Sequence, residues 1–136
     1  TQRRMKRGIY MNTQPAVLLY NFNDPDRLRL IRRYLNRQKV KTRIVSTPEF
    51  LHPLGYLFEL PGFQPSPQFN LGANFTDEML VLKDFSSEQM DSFLAFFHEN
   101  QIPSVALKAM LTPVTQHWSS LQLHDELSKE HKLMHK

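Results

Sequence analysis

The sequence predicts an α/β fold: two tandem β-α-β-α units sharing a four-stranded sheet. Three observations carry that reading. Short continuous apolar runs at residues 16–20 and 79–82 have the character of strands covered on both faces. Between such runs, apolar residues recur at helical spacing. The order of elements then repeats along the chain. Leu18-Leu19-Tyr20-Asn21-Phe22 aligns with Val81-Leu82-Lys83-Asp84-Phe85 at an offset of 63. Leu28, Ile31, Leu35, Val40 and Val45 align with Met90, Phe93, Phe97, Ile102 and Leu107 at 62, and Thr47-Pro48 with Thr112-Pro113 at 65. A strand–helix–strand unit holds its strands parallel, so two units most simply share one sheet around a pseudo-two-fold axis. A ferredoxin-like α+β arrangement is the nearest alternative.

Residues 1–13 read as a basic flexible tail, with Arg3, Arg4, Lys6 and Arg7 at its start. Residues 14–136 read as a single domain of two repeats, 16–60 and 78–136, joined by a Pro/Phe-rich loop at 61–77. After the first strand, Asp24 is a good N-cap and Pro25 suits the first helical position. Leu28, Ile31 and Leu35 form the buried stripe of that helix, with Arg29, Arg33 and Arg37 on its opposite side. Residues 42–45 make the second strand, which Thr47-Pro48 ends, and a short Pro-interrupted helix follows across 50–60. No charged residue occurs from Leu60 to Thr76, and Pro61, Pro65 and Pro67 deny that stretch regular structure. Its Phe63, Phe69 and Phe75, spaced six apart, are expected to cover core or a sheet edge, a partner-binding loop being the alternative.

The second half opens with the strand at 79–82. Ser86 and Gln89 fit a capping box, Phe85 and Met90 a hydrophobic staple, and Met90, Phe93, Leu94 and Phe97 a helical stripe. Val105-Ala106-Leu107 is the expected fourth strand. Ser119 and Gln122 fit another capping box, which opens the last helix.

At 136 residues, with 40% hydrophobic and 11% aromatic content, the chain can bury a core of its own. No apolar run approaches the ~18–20 residues that a spanning helix needs, so a membrane span is not expected. The basic start lacks the apolar stretch of a signal peptide, and its first residue, which is not Met, suggests an incomplete or processed terminus. With no cysteine, disulfides, thiolate zinc sites and cysteine nucleophiles are excluded, which is compatible with the cytoplasm. Gly8, Gly55, Gly62 and Gly72 lie too far apart for a phosphate loop. Charge is uneven: 12 Lys/Arg against 4 Asp/Glu in residues 1–68 give +8, while 5 against 9 in residues 69–136 give −4. Either a nucleic-acid or acidic partner for the first half or attraction between the halves follows from that asymmetry. Arg29 and Arg37 occupy the positions of Asp91 and Glu99 in the second unit, so equivalent helix faces carry opposite sign.

Lys108-Ala109-Met110-Leu111-Thr112-Pro113, followed by Trp118-Ser119-Ser120-Leu121 and Glu130-His131, resembles a bacterial family catalogued as domain of unknown function thirty-seven eighty-three. The resemblance extends back through residues 79–85 and Phe97, covering residues 79–136. It departs at Thr115, at or near the place where the family usually carries Asn. It implies a small bacterial cytosolic protein and supplies no activity.

Three surfaces are candidate sites. The carboxyl end of the fourth strand gathers Lys108, Thr112, Thr115, Gln116 and Trp118, where a cation, two hydroxyls and an aromatic wall could hold a small anion or planar ligand. A turn-forming Thr112 and a core Trp118 are the structural alternative. Arg29, Arg32, Arg33, Arg37, Lys39, Lys41 and Arg43 make a basic surface of the kind that binds phosphate backbones, with Tyr34 able to stack on a base. His117, His124, His131 and His135 follow a helical period along the last segment, but without further ligands a solvated face is expected rather than a metal site. No Gly-x-Ser-x-Gly, His-Glu-x-x-His or phosphate loop occurs, so neither catalysis nor a cofactor is expected. The expectation is a non-catalytic binding or regulatory module for a protein or small ligand. The alternative is an RNA- or ribosome-associated protein using its basic first half. Oligomeric state is not legible.

Overall fold

The computed structural model describes residues 14–72 and 74–134. Strands Ala16–Tyr20 (β1) and Met79–Lys83 (β3) are buried at every position, as strands covered on both faces must be. They form the centre of a four-stranded sheet with Lys41–Val45 (β2) outside β1 and Leu107–Met110 (β4) outside β3. The order is β2-β1-β3-β4. β1 runs parallel to β2, β3 runs parallel to β4, and the two units meet through the antiparallel pair β1–β3. In that pair Leu18 lies opposite Val81, its partner in the sequence alignment, so an axis through this pair exchanges the two strands.

Helices Pro25–Arg37 (α1) and Ser87–Glu99 (α3) cover one face of the sheet, packing Ile31, Leu35, Phe93, Phe96 and Phe97 onto Val17, Leu19, Leu80 and Leu82. The short helix Leu54–Leu57 (α2) and the long helix Ser120–Met134 (α4) cover the other, with Phe50, Leu54, Leu57 and Leu123 against Leu18, Tyr20, Met79 and Val81. Asp24 caps α1 by accepting from Asp26 and Arg27, and Ser86 and Gln89 close the capping box of α3.

The backbone repeats in detail. Asn21 and Asp84, each directly after its strand, take φ of 63° and 62°; Asn and Asp tolerate this left-handed region best among residues other than Gly. Lys39 and Gln101 follow their helices at φ 61° and 55°. Behind them, Val40 N–H donates to Leu35 O and Ile102 N–H to Phe97 O, both at 2.9 Å. That is the Schellman closure, made twice at equivalent places.

Two element boundaries differ from expectation. The fourth strand is Leu107–Met110, not Val105 to Leu107, because Leu107 pairs with Met79 and the preceding residues 103–106 are an addition after Ile102. By register Leu107 therefore stands where Lys41 stands, and residue 111 takes the place of Val45. Between 47 and 60 the backbone forms a 3-10 turn at Thr47–Glu49 and then only the single turn α2, since Pro53 interrupts the helix between them. No helix among the described residues is long and apolar enough to cross a membrane.

Candidate functional site

The uncharged, proline-rich loop is built around two anchored phenylalanines and one that is not. Phe63 lies over Gly55, where an added Cβ would stand 2.6 Å from its ring, and it meets His117 at a ring distance of 5.2 Å. Phe75 stacks on Phe50 at 4.8 Å and on His124 at 4.0 Å, entering the core beside Tyr20. Polar bonds tie Ser66, Asn70 and Asn74 between them. Ser66 N–H donates to His52 Nδ1 at 2.9 Å. Asn70 Nδ2 donates to Thr47 O and to Asn74 Oδ1, both at 2.7 Å. At the exit, Asn21 Nδ2 donates to the carbonyls of Phe75 and Asp77, and Asp77 also pairs with His124 at 2.9 Å.

The middle phenylalanine corrects the expectation for the loop. Phe69 is 87% exposed and Leu71 91% exposed, one on each side of the tethered Asn70. Large apolar side chains shown side by side to water are a feature that interaction surfaces share. The sequence did carry a signal: three phenylalanines evenly spaced in a stretch without charge. Which of them lacks a place in the core depends on Gly55, Phe50 and His124, residues distant in sequence.

The carboxyl end of β4 is arranged differently. Thr112 and Thr115 satisfy each other: Thr115 N–H donates to Thr112 Oγ1 at 3.0 Å, and Thr112 N–H to Thr115 Oγ1 at 2.9 Å. Their hydroxyls lie 3.1 Å apart and close the 3-10 turn Thr115–His117. Gln116 N–H donates to Thr112 O at 3.0 Å in the same turn. Trp118 packs half-buried against the α2–α4 core, and its carbonyl accepts from Leu54 N–H at 2.8 Å. Lys108 leaves this group, because its Nζ reaches back to Val105 O, toward the other end of the strand, and burial lowers its pKa. The five residues are near in sequence, but the structure brings only the turn residues together.

The seven basic residues also divide. Arg43, on the α2 side of the sheet, binds Glu49 at 2.6 Å and Leu57 O at 3.2 Å, and Lys41 pairs with Glu59 at 2.8 Å. Arg32 donates to Thr42 Oγ1 at 3.3 Å, and Arg29 pairs with the exposed Asp26 at 2.9 Å. Arg33, Arg37 and Lys39 are exposed and make no ion pair among the described residues. Tyr34 is not free to stack on a base, since its ring already stacks on Phe96 at 4.4 Å. The tail residues Arg3, Arg4, Lys6 and Arg7 lie outside the described residues, as does His135. Of the histidine series, His117 sits in the 3-10 turn rather than on α4, which breaks the expected stripe, and His124 is held by Phe75 and Asp77.

Residues 78–134, from the residue before β3 to the end of α4, match the model of a family described as a domain of unknown function (DUF3783). No curated protein and no solved structure gives a significant match.

Proposed function

We propose that the protein, whose residues 78–134 match the model of a family of unknown function, is a non-catalytic binding module that recognises a protein partner through the loop at 61–77. One observation carries the reading: Phe69 and Leu71 are almost fully exposed on a backbone that Asn70, His52 and Phe75 hold in place. An exposed aromatic and leucine on a pre-organised loop meet a partner with little ordering cost. The test is affinity capture at native abundance, comparing wild type with Phe69→Ser combined with Leu71→Ser. A stoichiometric partner held by wild type and lost by the double variant, at unchanged melting temperature, is the expected result. Equal capture by both rejects the loop as the contact.

The wider reading is of a small bacterial cytoplasmic protein whose halves descend from one duplicated unit. The family resemblance supports its setting. The matching left-handed residues Asn21/Asp84 and Lys39/Gln101 and the Leu18–Val81 register support the duplication. A second function, binding of RNA or the ribosome, is favoured by Arg33, Arg37 and Lys39, whose charges point outward without a counter-ion among the described residues. Replacing Arg29, Arg33 and Arg37 by Glu should abolish binding to a mixed RNA pool that weakens steeply with salt. Binding that survives the replacement, or ignores salt, removes this reading.

A further inference from the structure

α1 and α3 lie on the same face of the sheet, and because β1 and β3 are antiparallel the helices run in opposite directions. The start of each therefore faces the end of the other, and the pseudo-two-fold creates two equivalent junctions. At one of them, Arg27 fills the space. Its guanidinium lies 5.2 Å over the ring of Phe22, pairs with Glu78, and donates to Pro103 O at 2.7 Å. The residue equivalent to Arg27 is Gln89, which turns back instead: its Oε1 accepts from Ser86 N–H at 2.8 Å to close the capping box. At that second junction a cleft of about 200 Å³ remains, lined by Tyr34, Gln38, Val40, Phe85, Glu88 and Gln89 among others.

We propose that this cleft takes a guanidinium group, the arginine side chain of a partner polypeptide. The molecule holds its own example of the occupant at the twin position. Phe85 stands where Phe22 stands, offering the ring face on which a guanidinium rests. Glu88, in the first turn of α3, lines the cleft and offers a carboxylate from a different place in its unit than the Glu78 that pairs with Arg27. Tyr34, fixed by its stack on Phe96, forms the opposite wall. Glu88 is the only charged residue among those lining the cleft. The cleft thus offers no cation for the carboxylate of free arginine, and this selects an arginine within a chain. The cleft lies on the opposite face of the sheet from Phe75 and its loop.

The experiment titrates the full chain with the peptide acetyl-Gly-Arg-Gly-amide, its citrulline counterpart and free arginine, followed by amide chemical shifts. The arginine peptide should shift Tyr34, Gln38, Phe85 and Gln89. The citrulline peptide, and the arginine peptide on the variant Glu88→Gln, should each bind about tenfold more weakly, the loss of one charge-assisted contact, and free arginine should bind more weakly because its carboxylate finds no cation in the cleft. Gln89→Arg should abolish binding by filling the cleft from within, as Arg27 fills its twin. Absence of binding, shifts located elsewhere, equal binding of citrulline, or undiminished binding by folded Gln89→Arg each overturn the proposal. Free arginine binding as well as the peptide overturns the polypeptide source.

Discussion

Gly55 shows how one residue positions the loop from across the fold. Its missing side chain admits the ring of Phe63, which an added methyl would meet at 2.6 Å. Gly55→Ala should therefore push that ring aside and cost about 1–3 kcal/mol, the usual penalty for overpacking. In a Phe63→Ala background the same substitution should be neutral or slightly stabilising, because alanine is the better helix former. Melting temperatures of the four proteins in this cycle give the answer, and equal costs in both backgrounds would contradict the account. Tyr20 makes the same point for the core. Its hydroxyl bonds Ser120 Oγ at 2.6 Å, and burial pushes its phenol far above the ordinary range. Its place after Leu18-Leu19 marks it as core, but the partner 100 residues away could not be read from the sequence.

At the scale of elements, local chemistry was the most legible. The caps at Asp24 and Ser86 and the stripes of α1 and α3 stand where their residue types put them, since a helix start is decided within a few residues. β4 was misplaced for the opposite reason. Val105 is buried and β-branched, but the strand starts only where Leu107 can pair with Met79, and pairing is a long-range property. The turn after β2 carries a pH dependence. Burial alone would raise the pKa of Glu49, but the Ser46 N–H at 3.0 Å and the Arg43 guanidinium at 2.6 Å outweigh it and hold the carboxyl below the usual range. A carboxylate whose folded pKa is depressed contributes stability that is present above its unfolded value and lost as pH falls through the folded one. Glu49→Gln should therefore be less stable than wild type at pH 7, and the gap should narrow as pH falls from about 5 toward about 3. Denaturant unfolding across that range checks it, and a constant gap would contradict it.

For the molecule as a whole, the sequence foretold the architecture better than the sites. Order and spacing sufficed for two β-α-β-α units on one sheet, because a strand buried on both faces leaves a short continuous apolar run and an amphipathic helix a periodic one. The sites depend on which side chains the fold has already used. Lys108, Thr112 and Thr115 look like a ligand set on paper, but each is bonded within its own segment. The basic residues form one run in sequence, but the sheet divides them between its two sides. Among what the fold leaves outward, Phe69 and Leu71 are the most exposed of the large apolar side chains described, and α1 shows its cationic side.

The loop as a protein contact is tested most directly by placing a photo-crosslinking phenylalanine analogue at position 69 and, as control, at Leu94, which is exposed on α3 across the sheet. Irradiation of living cells should give one dominant adduct from position 69 that the control does not give. No discrete adduct at 69, or the same pattern from both positions, would contradict the account.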